Sequence, residues 1–229
     1  MDYYQKNAEE YINKTKDVDL SEERNKFLQY MPSKGKILDI GFGSGRDSLA
    51  FKQLGYNVIS IDSCKEFCDY GKSIGLNVIN INVKDITFNN EFDGIWACAS
   101  LLHVKSNELV EVFNKISLAM KENATFYCSF KYGEFEGVRD DRYYTDMTLD
   151  KMNSLLVNTN LHIIEYWMKD DSLNRDNKWI SFIQEDNNID SNFTSYPSDM
   201  LKDNGINSSV TMSQADLTKL LNDYWYKYS

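Results

Sequence analysis

The sequence predicts a doubly wound α/β domain with a mostly parallel seven-stranded sheet and an antiparallel hairpin at one edge. The first observation behind this prediction is that short apolar runs alternate with helical stretches along the chain. Strands of about five residues that alternate with helices of about 10–15 residues require parallel pairing through right-handed crossovers. The second observation is that no long helix separates the last two apolar runs, which favours an antiparallel hairpin.

The elements follow from the spacing of apolar residues. Two polar helical stretches with interspersed aromatic residues occupy residues 2–31. The runs typical of strands are 36–40, 57–61, 77–81, 92–98, 125–130, 161–167 and 178–183. Helical spacing is found at 48–54, 65–74, 107–120 and 149–156. Residues 131–147 are polar and are expected to form a loop.

Size and composition predict how the chain is organised. Its 229 residues, 42% of them hydrophobic, fit one globular domain at 1–185, with a helical cap over 1–31. From residue 186 the composition changes to Asn, Asp and Ser, so residues 186–229 are expected to form a polar linker. A short amphipathic helix is expected at 213–227, where it could contact another protein.

Charge and hydropathy exclude several classes of partner. The formal net charge of −10 opposes binding to nucleic acid, because phosphate contacts need clustered Lys and Arg. No apolar stretch is long enough to span a membrane, and the first residues do not resemble a signal peptide. We therefore expect a cytoplasmic protein without membrane contact.

The cysteines and histidines do not predict a metal site. Two cysteines lie in predicted buried strands, two stand four apart on a predicted helix, and both histidines are distant from that pair in sequence. The residues concerned are Cys98, Cys128, Cys64, Cys68, His103 and His162. Reduced, mostly buried thiols are the expected state.

The glycine-rich turn after the first predicted strand is the most informative segment. It reads Gly41-Phe42-Gly43-Ser44-Gly45, and such a turn lets a ligand approach the backbone and the N-terminus of the next helix. Dinucleotide binding requires G-x-G-x-x-G, but Arg46 stands where the third glycine should be. Asp39, just before the turn, opposes a pyrophosphate and favours a cationic ligand. A phosphate-binding P-loop is excluded because no Gly-Lys-Ser/Thr follows.

Residues 37–45 resemble the first motif of class I S-adenosylmethionine-dependent methyltransferases, and a second motif follows at the expected distance. Asp62 ends the second predicted strand, 21 residues after Gly41. A carboxylate at that position can accept hydrogen bonds from both ribose hydroxyls. The resemblance therefore implies a nucleoside-containing cofactor between the two strand ends.

Two further motifs of the same family follow in order. Asn82, with Val83 beside it, stands where the family usually has an Asp that meets the adenine amino group, and Asp85 is an alternative for that position. Residues 92–104 look like the family's fourth strand and the turn after it. In the family, the backbone around Ala97 and Cys98 approaches the methionine part of the cofactor. The four motifs together cover residues 36–130.

The resemblance implies a Rossmann-like methyltransferase fold with S-adenosyl-L-methionine as cofactor. Arg46 could bind the cofactor carboxylate, and Tyr11 belongs to a segment that resembles the family's cap helix. The residues expected to bind the cofactor are Asp39, Gly41, Gly43, Gly45, Arg46, Asp62, Asn82, Val83, Ala97 and Tyr11. Residues 45–48 and 129–133 look like the branch that contains small-molecule and tellurite-resistance-type enzymes.

Methyl transfer from a sulfonium is an in-line displacement whose rate depends on alignment and on the exclusion of water. The candidate catalytic residues near the methyl group are His103, Lys131 and Tyr132. In the loop that follows, Arg139 and Arg142 could recognise an anionic acceptor.

The sequence also limits the kind of acceptor. The only prolines are Pro32 and Pro197, so the N/D-P-P-Y/F and Pro-Cys elements of DNA methyltransferases are absent. Together with the acidic charge, these absences favour a small molecule, a thiol, an oxyanion or a protein side chain as the acceptor, and a small molecule is the acceptor that we expect. Two alternatives stay open: a cofactor-binding regulatory protein without turnover, and an NAD-binding oxidoreductase.

Overall fold

The computed structural model describes residues 3–173 and 176–186, and its central feature is a seven-stranded sheet. Its strands are β1 (Lys36–Ile40), β2 (Asn57–Asp62), β3 (Val78–Asn80), β4 (Phe92–Ala97), β5 (Met120–Lys131), β8 (Leu161–Asp170) and β9 (Lys178–Asp186). The strand order is β3-β2-β1-β4-β5-β9-β8. Strands β1 to β5 pair in parallel, whereas β9 is antiparallel to both β5 and β8. The predicted fold class is confirmed.

The described helices connect the strands or precede them. They are α1 (Tyr3–Lys6), α2 (Ala8–Thr15), α3 (Ser21–Leu28), α4 (Arg46–Gln53), α5 (Lys65–Ser73), α6 (Ser106–Ala119) and α7 (Leu149–Leu156). Two 3-10 turns cover Val83–Asp85 and Leu101–His103. None of the described helices combines the length and the hydropathy that a membrane span requires.

Alternate residues of the central strands supply the cores on the two faces of the sheet. On β4, Ile95 and Ala97 pack into the cluster that contains α6 and α7, whereas Trp96 packs into the cluster that contains α3 and α4. On β5, Phe126 and Tyr127 divide in the same way. This period of two follows from the strand geometry, which points successive side chains to opposite faces.

The prediction of a loop over residues 131–147 is wrong, because the structure has an antiparallel hairpin there. Strand β6 (Glu136–Arg139) pairs with β7 (Arg142–Thr145), and Asp140 and Asp141 form the turn with φ of 48° and 60°. Two central residues with positive φ are characteristic of a tight hairpin turn, and Asp tolerates that conformation. The charged side chains concealed the strands in the sequence.

Two other predictions differ from the structure at their boundaries or lie mostly outside the described residues. The helix predicted at 107–120 corresponds to α6, which ends at Ala119 because Met120 already begins β5. The predicted linker and the amphipathic helix at 213–227 lie outside the described residues, except for Asp186, which ends β9.

Helices α1 and α2 lie against α5 and close one end of the sheet. The Tyr4 and Tyr11 rings lie 5.9 and 5.3 Å from the Phe67 ring, and Ala8 and Ile12 pack into the same cluster. The first residues of the chain therefore cover the end of the sheet at which the glycine-rich turn lies.

The packing of β4 against α3 gives a prediction for stability. A Cβ at Gly94 would lie 2.2 Å from Met31 Sδ and 2.7 Å from the Phe27 ring. We expect Gly94→Ala to lower the free energy of unfolding by about 1–3 kcal/mol, because the added methyl overpacks this contact. Urea denaturation measures the change. Leu118→Ala on α6, where the side chain is 62% exposed, is the control and should change the stability by less than about 0.5 kcal/mol. Equal effects of the two substitutions would contradict this packing.

Candidate cofactor and acceptor site

The glycine-rich turn is held on the end of β2 by hydrogen bonds. The N–H groups of Gly41 and Phe42 both donate to the Ile61 carbonyl, at 2.9 and 3.0 Å. Gly41 has a φ of 81°, and a Cβ there would lie 2.3 Å from the Ser100 Cβ. Only glycine fits this position, because a side chain would both strain the backbone and clash. The turn between β1 and α4 is therefore packed directly against the turn after β4.

Asp62 joins the glycine-rich turn to the start of α5. Its Oδ2 accepts from the Gly43 N–H at 3.0 Å, and its Oδ1 accepts from the Cys64 N–H at 2.8 Å. Each carboxylate oxygen can accept more than one hydrogen bond, so these contacts leave capacity for ligand hydroxyls. Asp62 thus has a structural role and also lines a cavity.

Two cavities in the described part of the chain meet at this turn. The first, called the β2–β3 cavity, has a volume of about 270 Å³ and is lined by Asp62, Asn82 and Val83. The second, called the β5–β9 cavity, has a volume of about 330 Å³ and extends to residues of β5, β8 and β9. Both cavities are lined by Tyr4, Tyr11, Gly41, Gly43, Ala99 and His103. A ligand on the glycine-rich turn would therefore reach into both.

The adenine position of the resemblance falls at the 3-10 turn after β3. Asn82 lines the β2–β3 cavity, and its Oδ1 accepts from the Lys84 N–H at 3.0 Å. The alternative, Asp85, is exposed and belongs to neither set of lining residues.

Asp39 is a buried carboxyl at the end of β1. It accepts from the Ser48 hydroxyl at 2.5 Å, and Ser48 in turn lies 2.7 Å from the Ser60 hydroxyl. Burial, together with the nearby negative charge of Asp47, raises the pKa of Asp39 to about 8. Asp39 is therefore mostly neutral at neutral pH when no cation is bound beside it.

Asp47 organises the charges under the glycine-rich turn. It accepts from Arg24 at 2.6 Å, from Arg46 at 2.7 Å and from the Trp96 indole at 3.2 Å. Burial raises its pKa, but the two guanidinium groups outweigh burial and hold the pKa below its usual value. Arg46 is the residue expected to bind a cofactor carboxylate. It donates two hydrogen bonds to Asp47 and also lines the β5–β9 cavity.

His103 lies between the two cavities with both ring nitrogens hydrogen-bonded. Its Nδ1 is 2.6 Å from the Tyr143 carbonyl, which can only accept, so Nδ1 carries a proton. In the neutral ring, Nε2 accepts from the Tyr4 hydroxyl, 2.6 Å away. Burial and the nearby Tyr11 raise the pKa of Tyr4 well above its usual range, which keeps its hydroxyl protonated. Tyr4 and His103 therefore act as one polar unit at the junction of the cavities.

The structure separates the other candidates for acceptor contact. Lys131 lines the β5–β9 cavity and lies 4.6 Å from the Tyr144 ring centroid, whereas Tyr132 is 45% exposed and lines neither cavity. Arg142 also lines the β5–β9 cavity, but Arg139 forms an ion pair with Asp146 and does not.

Some predicted cofactor residues lie just outside the cavities, and other residues were missed. Gly45 and Ala97 line neither cavity, and the neighbouring Ser44, Cys98 and Ala99 do. Residues that line the cavities without having been predicted as site residues include Glu23, Ser100, Ser129 and Trp179. Their positions depend on strand order and on the path of the N-terminal helices, which motif spacing does not report. Among residues 3–173 and 176–186, no group of three His, Cys, Asp or Glu side chains could hold a metal ion.

Comparison with known proteins agrees with this geometry. Residues 37–123 match the family model described as "Methyltransferase domain". The YqeM protein of Bacillus subtilis (strain 168), a proposed methyltransferase, is 28% identical over 116 residues, which are 45% of this chain and 47% of YqeM. The chain thus spans about half the length of this curated relative.

Solved structures resemble the fold. An S-adenosylmethionine-dependent methyltransferase from Methanosarcina mazei has a TM-score of 0.62 and 21% identity, over 69% of this chain and 95% of that one. The 1,6-didemethyltoxoflavin-N1-methyltransferase of Burkholderia thailandensis, crystallised with its substrate and S-adenosylhomocysteine, has a TM-score of 0.65 and 16% identity, over 80% and 86% of the two chains. The [4+2]-cyclase SpnF has a TM-score of 0.58 and 11% identity, over 71% and 79%.

Residues 37–123 thus match a methyltransferase domain, and the described fold is shared with solved S-adenosylmethionine-dependent methyltransferases. The tellurite-resistance-type branch is not distinguished by these matches. Because the fold also occurs in a cyclase, fold alone does not define the reaction.

Asp62 gives a prediction for cofactor binding. We expect Asp62→Ala to weaken the binding of S-adenosylhomocysteine about 100-fold, through loss of hydrogen bonds from the ribose hydroxyls to a charged acceptor. Isothermal titration calorimetry measures the affinity, and urea denaturation verifies folding, since Asp62 also holds Gly43 and Cys64. Asp85→Ala removes the same charge outside both cavities and should leave the affinity unchanged. An unaltered affinity in Asp62→Ala would place the ribose elsewhere.

Asp39 gives a prediction for the pH dependence of stability. Its pKa is about 8 in the folded protein and near 3.8 in the unfolded chain, so the folded state holds the extra proton. This contribution to stability is complete below about pH 4 and is lost as the pH rises towards 8. We expect the free energy of unfolding of Asp39→Asn, relative to that of the wild type, to rise by about 3–4 kcal/mol from pH 5 to pH 8. Urea denaturation at both pH values measures it, and parallel pH profiles would show that Asp39 is already ionised.

Proposed function

We propose that this protein is an S-adenosylmethionine-dependent methyltransferase that acts on a small-molecule acceptor by in-line methyl transfer. The observation that carries the proposal is the junction of two cavities at the glycine-rich turn, one beside Asp62 and one that extends over β5 and β9. A cofactor that filled the first cavity would present its reactive group to the second. The family match at residues 37–123 supports the same reading.

The residues present fit this cofactor. Asp62 would accept the ribose hydroxyls, and Asn82 and Val83 would contact the adenine. Gly41 and Gly43 would allow close approach of the methionine part, because neither has a side chain. A Cβ on Gly43 would lie 3.3 Å from the Tyr11 ring, so a side chain there would fill the space between the turn and α2. Asp39 supplies a buried carboxyl that a neighbouring cation would ionise, and Arg46 supplies a guanidinium to the cofactor carboxylate. When bound, the cofactor supplies an electrophilic methyl group on a sulfonium.

Around that group, the protein would orient the acceptor and exclude water. Tyr4, Tyr11 and His103 stand at the junction, where they close the site from the α1 and α2 side. His103 would accept an acceptor proton only through exchange of its hydrogen bond with Tyr4, because both ring nitrogens are engaged. This arrangement favours positioning by the Tyr4–His103 unit over direct abstraction of a proton by the histidine.

The acceptor would lie in the β5–β9 cavity. Lys131 and Arg142 line the part near Tyr144, so they are the candidates for contact with the acceptor, and Tyr132 would contribute at most from the exposed rim. A volume of about 330 Å³ suits a small molecule. The segments at 45–48 and 129–133 support placement in the small-molecule and tellurite-resistance-type branch, and we propose a cytoplasmic location from the sequence pattern.

Titration with three ligands that contain adenosine tests the proposal. We expect S-adenosylmethionine and S-adenosylhomocysteine to raise the melting temperature of the protein, because each binds the folded state alone, and NAD to leave it unchanged. Differential scanning fluorimetry measures the shifts. A response to NAD without a response to either sulfur nucleoside would overturn the proposal. Formation of S-adenosylhomocysteine in the presence of candidate acceptors then separates an enzyme from a regulatory binding protein.

A further inference from the structure

Glu23 is a buried carboxylate with one oxygen that the described fold does not satisfy. It lies on α3 with 4% of its surface exposed, and its Oε1 accepts from Lys169 Nζ at 2.8 Å. Its Oε2 is fully buried and has no hydrogen-bond partner among the described residues. Buried polar atoms are nearly always paired, and an unpaired carboxylate oxygen is among the most costly. Glu23 also lines the β5–β9 cavity, so a rotation of its carboxyl group would present this oxygen to a ligand there.

Glu23 on α3 pairs with Lys169 of β8, which is the third strand beyond β4 in the sheet order. The proposed cofactor contacts lie on β1 and β2 and in the turns after β1, β3 and β4. The partner on β8 therefore favours the acceptor, over the cofactor, as the source of the ligand group that reaches Glu23.

The neighbouring hydroxyls are already engaged with other protein groups. The Tyr127 hydroxyl lies 3.1 Å from the Ser181 hydroxyl, and Ser129 Oγ accepts from the Ala99 N–H at 2.9 Å. The cavity that Glu23 lines is also lined by Tyr127, Ser129, Ser181 and Ala99. The described residues thus offer Oε2 no donor, and a ligand in the cavity could supply one.

The charge around this end of the cavity favours a cation. Asp170 and Asp171 line it together with Glu23, and Lys169 is the cation already paired there, with Glu22 and Glu23. The other cationic side chains that line the cavity are Lys131 and Arg142, which lie around the Tyr144 ring, and Arg46, which pairs with Asp47. The aromatic rings of Tyr127 and Trp179 flank the acidic end and could contact the body of a ligand.

We propose that Glu23 is the acceptor-binding residue that selects a small amine, whose ammonium or N–H group donates to Oε2. This inference rests on the proposed function, because it assigns the acceptor of that site. It makes the acidic end of the β5–β9 cavity the specificity pocket of the enzyme. Methyl transfer itself would occur at the junction, at whichever nucleophile of the acceptor faces the cofactor.

The test uses one set of matched phenols as probes: tyramine, tyrosol and 4-hydroxyphenylacetate, which differ only in an ammonium, a hydroxyl or a carboxylate on the side chain. Each is titrated by calorimetry into the full chain saturated with S-adenosylhomocysteine. We expect tyramine to bind at least tenfold more tightly than the other two. Glu23→Gln should weaken the binding of tyramine about 10- to 100-fold, because it replaces the charged hydrogen-bond acceptor with a neutral amide.

Glu22→Gln is the matched control. Glu22 also pairs with Lys169, at 3.2 Å, but it is exposed and does not line the cavity, so its loss should leave tyramine affinity unchanged. Melting temperatures of both variants show whether the folded state is intact. Glu23→Asp keeps the charge but shortens the side chain, and we expect it to retain part of the preference for the amine.

The outcomes separate this inference from the proposed function. If S-adenosylhomocysteine fails to bind the wild type, the proposed function fails first. If it binds but the amine is not preferred, or Glu23→Gln and Glu22→Gln have equal effects, the inference about Glu23 is overturned alone. If Glu23→Gln weakens S-adenosylhomocysteine but not 5′-methylthioadenosine, which lacks the amino acid part, Glu23 holds the cofactor's amino group and the inference is likewise overturned.

Discussion

The attachment of the glycine-rich turn to the end of β2 is the constraint on which the rest of the site depends. Two backbone N–H groups of the turn share the Ile61 carbonyl, and a third, from Gly43, donates to the Asp62 carboxylate. These bonds are possible because Gly41 lets the chain turn sharply against Ser100. The same carboxylate begins α5, so one side chain fixes the turn, the strand end and the helix start together.

Around this attachment, the sheet order distributes the chemistry. The β2–β3 cavity lies on one side of the turn, and the β5–β9 cavity lies on the other because β9 returns antiparallel beside β5. The N-terminal helices supply Tyr4 and Tyr11 above the junction. A cofactor and an acceptor could therefore meet there, with the protein contributing alignment and exclusion of water in place of an exposed nucleophile.

Charge is also arranged by position. Asp47 is held ionised by Arg24 and Arg46, whereas Asp39, a short distance along the same site, is driven towards its neutral form by burial. Two carboxyls of one residue type thus have opposite pKa shifts, since only one of them has cationic partners. Asp39 can therefore respond to a bound cation, while Asp47 serves the fold.

The sequence by itself determined the sheet class, the glycine-rich turn and the positions of Asp62 and Asn82, because these depend on local spacing and on short connections between neighbouring elements. Tertiary structure decided what spacing does not encode: the β6–β7 hairpin, the separation of Arg142 from Arg139, the pairing of Tyr4 with His103 and the burial of Glu23. Each of these depends on residues far apart in the chain. Glu23 and Lys169 lie 146 positions apart, and their contact exists only because the sheet order brings β8 beside α3.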